Sequence, residues 1–132
     1  MMSQPNLADL HARGHWPLPE RPRVAIVGSR RPSPYGEAVA EQLAADLAHS
    51  NVIVISGLAL GIDAAAHRGA LNGGGITVAV MGTGVDVVYP AAHFRLAEQI
   101  LHEGRTSPLA TGPWPLCRRW SWWSRRGRAL ER

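Results

Sequence analysis

The residues of this chain best suited to meet an anion stand behind three short apolar runs. Val24-Ala25-Ile26-Val27 ends in Gly28-Ser29-Arg30, Val52-Ile53-Val54-Ile55 ends in Ser56-Gly57-Leu58, and Ile76-Thr77-Val78-Ala79-Val80-Met81 ends in Gly82-Thr83-Gly84. Glycine lets backbone N–H groups approach a ligand closely, the hydroxyls add donors, and an arginine presents a planar fork, so the chemistry these turns suit is the holding of a phosphate. A plain structural reading stands beside it, because tight strand-to-helix turns select glycine with or without a ligand. Arg30 and Arg31 likewise read either as phosphate contacts or as a solvated surface pair.

Three further side chains follow Gly61 at helical spacing. Asp63 in the first turn suits a helix cap or a ligand contact. His67, four residues on, is placed to hydrogen-bond with it, which fixes an imidazole near the ligand edge or merely ties down the helix. Arg68 could reach a phosphate from the same helix, although exposed helical arginines are common. Nucleophilic catalysis by Ser56, His67 and Asp86 lacks the G-x-S-x-G elbow, and no complete G-x-G-x-x-G dinucleotide fingerprint is present. His11 and His15 without a third ligand make no metal site, so neither a metal nor a cofactor is expected.

The elements that must position these residues alternate. Each apolar run reads as a strand buried on both faces, and helices follow over residues 37–49, 61–71 and 91–102, giving β-α three times. Right-handed crossovers then imply a parallel sheet whose strand carboxyl ends share one edge, so the three glycine turns converge. The expected fold class is α/β: a Rossmann-like, three-layer parallel sheet with helices on both faces, truncated to about three β-α units. Residues 1–22, rich in proline, read as an irregular lead-in with a short helical turn near residues 7–12; residues 23–105 form the domain, and 106–132 a tail.

Length and charge bound the rest. At 132 residues and 45% apolar, the chain has one modest core; it carries no apolar run of membrane-spanning length and no secretory signal, and its single cysteine, Cys117, rules out a disulfide framework. A cytoplasmic protein is expected. The formal net charge of +4 lies in the tail: residues 1–105 hold eight arginines against nine acids, whereas residues 106–132 hold six arginines against Glu131 alone. Bulk charge is therefore a poor guide to the partner of the domain.

The linked series Val24-Ala25-Ile26-Val27-Gly28-Ser29-Arg30, Tyr35-Gly36, Ser56-Gly57-Leu58-Ala59-Leu60-Gly61-Ile62-Asp63, His67, Gly69-Ala70-Leu71, Gly74, Gly82-Thr83-Gly84 and Tyr89-Pro90 resembles the DNA-processing protein A (DprA, or Smf) family over about residues 16–104. The resemblance implies an extended Rossmann fold that binds single-stranded DNA without hydrolysing it, protects incoming strands in natural transformation and loads a RecA-type recombinase. It places the DNA-phosphate pocket on Gly28, Ser29, Arg30, Ser56, Gly57 and the helix start at Gly61. Asp63, His67, Gly82, Thr83 and Gly84 are the further candidates beside it. Arg68 stands where relatives usually carry lysine, which keeps the charge and changes the geometry. A homodimer is left open for intact relatives; no membrane partner is expected.

The resemblance stops at residues 106–132, where relatives continue through F-P-x-R-N-R and a valine strand. The tail holds four of the five tryptophans and no amphipathic period. Tryptophan codons read one base earlier contain a valine triplet, and permitted codons for residues 106–124 can spell the missing segment, so a frameshift near residues 104–106 is one reading; a genuine basic-aromatic tail that stacks bases is the other. Either way the sheet is expected to stop after three strands with an open edge, at marginal stability and with a disordered tail. Two alternatives to DNA binding remain: a nucleotide enzyme of the lysine-decarboxylase-like phosphoribohydrolase type, whose P-G-G-x-G-T-x-x-E signature Gly73-Gly74-Gly75-Ile76-Thr77 does not complete, and a non-functional fragment.

Overall fold

The computed structural model describes residues 11–13, 18–81, 91–102 and 109–111. In chain order they form β1 (His11–Arg13), β2 (Arg23–Ala25), α1 (Pro34–His49), β3 (Ile53–Ser56), α2 (Ile62–Asn72), β4 (Thr77–Met81), a 3-10 turn (Ala91–His93), α3 (Phe94–His102) and β5 (Leu109–Thr111). The sheet runs β1-β5-β4-β3-β2; β2 through β5 are parallel, and β1 adds antiparallel to β5. The α/β, Rossmann-like class is the observed one.

α1 starts where its sequence can satisfy its end. Ser33 caps it by accepting the Gly36 amide at 3.1 Å, Pro34 fills the first turn where no donor is needed, and Glu37 faces the positive end of the dipole. The helix therefore begins three residues before the expected position. Its inner row Ala40, Ala44 and Ala48 is buried, and Gly69 of α2 lies so close to the Glu41 backbone that a Cβ there would collide with it. Small residues on both helices let α1 and α2 pack nearly backbone to backbone.

The core follows from the register. Val54 pairs with Thr77, so Val54, Thr77, Ala79 and Met81 share one face. Val54 packs with Ala44, Ala48, Ala66 and Ala70 of α1 and α2, whereas Ala79 and Met81 pack with Ala64 of α2 and Leu96, Ala97 and Ile100 of α3. All three helices thus cover the same face. The opposite face carries Ile53, Ile55, Ile76 and Val78, with Leu18 packed against it.

Four expectations need correction. Helices on both faces are replaced, among the described residues, by helices on one, because right-handed crossovers between strands laid down in sequential order always return on the same side. The sheet does not stop after three strands: Leu109–Thr111, inside the expected tail, covers the β4 edge, and His11–Arg13 of the lead-in is a strand where a helical turn was expected. Those pairings come from distant partners that no local pattern announces. Finally, β2 is an edge strand with all three residues exposed, and Val24 and Val27 remain 37% and 38% exposed, so its apolar run is not buried on both faces. The rest of the tail and residues 7–10 lie outside the described residues.

Candidate functional site

The turns after β2 and β3 meet at the carboxyl edge of the sheet, against the start of α2. Gly61 opens α2 at φ +83°, a left-handed conformation that glycine adopts without strain, and a Cβ there would strike the Ser29 carbonyl, Pro32 and Arg30. Ile62 N–H donates to the Ser29 carbonyl at 3.1 Å, and Gly28 leaves space for the Ile62 side chain, which a Cβ would meet at 2.8 Å. The Arg31 amide donates to Ser29 Oγ at 3.0 Å. Residues 28–32 are therefore packed closely on Gly61 and Ile62 at the start of α2 and joined to it by one hydrogen bond, and Arg30 and Arg31 stand exposed on that loop. No carboxylate among the described residues pairs with either.

Beneath the loop the polar groups are already paired. Ser56, buried, donates its hydroxyl to the Ile26 carbonyl at 2.6 Å and so ties β3 to the end of β2. Asp63, 4% exposed, accepts the Gly57 amide at 3.1 Å instead of capping its own helix, which has no side-chain cap. Burial raises its pKa, opposed by the backbone N–H groups of Gly57, Ala59 and Gly28. The group that meets the Gly57 amide is thus the protein's own Asp63 carboxyl.

His67 does not bond to Asp63. Its Nδ1 lies 2.6 Å from Thr77 Oγ1, whose single proton goes to the Val54 carbonyl at 3.0 Å, so Nδ1 carries the proton and donates. Nε2 is left as a buried acceptor with no partner among the described residues. Burial, then the neighbouring His93, lower the His67 pKa to about 3. His93 itself donates to the carbonyl of Leu58, a non-glycine residue at φ +58°. Arg68 points to α1, where Glu37 Oε1 lies at 2.6 Å and Glu41 Oε2 at 3.8 Å.

Of the expected site residues, the structure brings Gly28, Ser29, Arg30, Gly57, Gly61 and Asp63 together at one edge, with Ser56 just below. It does not bring His67 or Arg68 there: one is in the core and the other is engaged with α1. Gly82, Thr83 and Gly84 lie outside the described residues. Thr77, His93 and the acids Glu37 and Glu41 were missed as partners; a threonine inside an otherwise aliphatic strand was the one available signal, and nothing local marks the others.

Comparison with known proteins gives a consistent result. Residues 2–111 match the model of the family described as DNA recombination-mediator protein A. A DprA of Mycobacterium tuberculosis is 54% identical over 81 residues, 61% of this chain and 21% of that protein. The X-ray structure of DNA processing protein A from Streptococcus pneumoniae superposes with a TM-score of 0.68 at 41% identity, over 79% of this chain and 36% of that one. DNA processing protein A from Helicobacter pylori, whose structure concerns a single-stranded DNA binding mode, gives 0.69 at 28% identity, over 84% and 53%. The chain thus spans about a fifth to a third of the length of the curated relatives it matches, 21% to 32%.

Proposed function

The chain belongs to the DNA recombination-mediator protein A family, and from that premise we propose that it binds single-stranded DNA by phosphate contacts at the carboxyl edge of its sheet, with Arg30 as the principal contact. The observation that carries this reading is the exposed Arg30-Arg31 pair on a loop packed closely on Gly61 and Ile62 at the start of α2. The turn fixes the backbone from which the two guanidinium groups reach solvent, and they are not neutralised by any carboxylate among the described residues. Contacts of this type position a strand without reading its sequence, so little base preference is expected.

The chain acts as a binder rather than a catalyst in this reading, and in the cytoplasm; no helix among the described residues is long and apolar enough to cross a membrane. Protection of incoming strands and loading of a RecA-type recombinase extend the same proposal, supported by family membership alone. The site itself is proposed as Gly28, Ser29 and Arg30, with Gly57 and Gly61 shaping the edge.

The test is fluorescence anisotropy of a labelled oligonucleotide with the full chain and with Arg30→Ala. Binding that Arg30→Ala weakens while circular dichroism stays unchanged supports the reading. Equal binding by both proteins places the contact elsewhere. Release of free base from a nucleoside monophosphate would favour the phosphoribohydrolase reading instead.

A further inference from the structure

We propose that Tyr35 is a base-stacking platform beside the phosphate contacts, so that the loop from Ser29 to Tyr35 holds both the backbone and a base of one strand. The proposal rests on the single-strand reading above and adds to it a residue that makes the site prefer nucleic acid over other polyanions. Tyr35 is 80% exposed, the most exposed of the large apolar side chains among the described residues. It sits in the first turn of α1, a few residues after Arg30 and Arg31, and the intervening Pro32, Ser33 and Pro34 leave that segment little freedom. Ser33 fixes the start of the helix by accepting the Gly36 amide at 3.1 Å, so the ring is carried on a settled backbone.

The acids nearest in sequence do not spoil this surface. Glu37 lies two residues after Tyr35, about 200° around the helix at 3.6 residues per turn, and it is turned toward α2 by Arg68. Glu41 is drawn to the same arginine. The side of α1 that presents Tyr35 therefore faces outward, a few residues along the chain from two exposed arginines that pair with no carboxylate among the described residues. An aromatic face together with unpaired arginines is the combination that single strands use: the ring takes a base of any identity, and the arginines take the phosphate.

A competing occupant is a second copy of the chain, since Val39 and Leu43 continue from Tyr35 at four-residue steps and are 45% and 48% exposed. The nucleic-acid reading is favoured because the loop leading to Tyr35 offers arginines, serine and proline, with no further aliphatic side chain to extend an apolar patch, and because a two-fold contact centred there would bring like charges together.

The experiment compares the full chain with Tyr35→Ala and Tyr35→Phe on two labelled polymers of equal length, oligo-dT and an abasic phosphodiester strand. Tyr35→Ala is expected to lose about 5- to 150-fold in affinity for oligo-dT, the range of one stacked base, and to bind the abasic strand as the parent does. Tyr35→Phe keeps the face and is expected to bind both as the parent does. Equal loss on both polymers, or loss on neither, overturns the stacking role. If instead Tyr35→Ala dissociates a dimer in sedimentation velocity with oligo-dT binding intact, the face belongs to a second copy and the proposal is overturned. Failure of the parent to bind either polymer, while remaining folded, overturns the single-strand reading and the stacking role together, a pattern distinct from the others.

Discussion

The Asp63 carboxylate in the first turn of α2 accepts the Gly57 amide at 3.1 Å, across the turn that ends β3. The turn and the helix start are therefore one hydrogen-bonded unit, with a buried carboxyl group at its centre. The Gly57 amide is thus satisfied internally, while Arg30 and Arg31 stand exposed on the neighbouring loop.

Removing the internal carboxyl group should loosen this unit. Asp63→Ala leaves the Gly57 amide without its acceptor in a partly buried setting, and about 1–3 kcal/mol of stability is expected to go with it. Urea unfolding of the parent and the variant measures the difference. An unchanged midpoint would mean that water replaces the carboxylate at no cost.

The protein should lose stability in mild acid through His67. Its folded pKa of about 3 lies below the ordinary value of 6.5, so between those limits the unfolded chain binds a proton that the folded chain refuses. Stability from this group is complete above about pH 6.5 and falls toward pH 3, by up to about 1.4 kcal/mol per pH unit. Asp63, with a raised pKa, works in the opposite sense just above 3.8, where the folded state holds the extra proton. Thermal melts of the parent and of His67→Gln from pH 7 to pH 4 separate the two: the variant is expected to show the shallower acid dependence.

Close packing of α1 on α2 predicts a sharp response at Gly69. Gly69→Ala drives a methyl group into the Glu41 backbone and must push the helices apart, at an expected cost of about 1–3 kcal/mol. Gly74→Ala is the control, because a Cβ at that position meets nothing within 4 Å, although its φ of +68° carries its own strain. A denaturation midpoint that falls no further for Gly69→Ala than for Gly74→Ala would contradict the close approach.

Arg68 should matter little to DNA. Its guanidinium is held by Glu37 and Glu41 in a half-exposed setting, where such pairs contribute about 0–1 kcal/mol. Arg68→Ala is expected to shift stability by no more than that and to bind an oligonucleotide within a factor of about two of the parent, since every tenfold change needs about 1.4 kcal/mol. A loss as large as that of Arg30→Ala would return Arg68 to the site.

How far the sequence reaches is visible in these same residues. The β-branched runs and the alanine-rich stretches announced β2, β3, β4, α1 and α2 within a few residues, because local periodicity and buried apolar faces are the same fact. The meeting of Gly28, Gly57 and Gly61 was legible too, since parallel strands must place their carboxyl ends on one edge. Partner choice was not. Asp63 looked like a cap for its own helix, and it serves a turn six residues away in sequence; His67 looked like its partner, and it bonds Thr77 on the neighbouring strand instead. Helix spacing says which side chains are neighbours on one helix, but the competing donors arrive from other elements. β1 and β5 were illegible for the same reason, being short strands whose existence depends on each other and on β4.

The central claim is that Arg30 binds a DNA phosphate, and the salt dependence of binding tests it most directly. Affinity of the full chain for oligo-dT should fall linearly on a log-log plot against salt concentration, and Arg30→Ala should show a slope shallower by about 0.7, the contribution of one phosphate contact on a single strand. The same slope in parent and variant, whatever their relative affinities, would contradict the account.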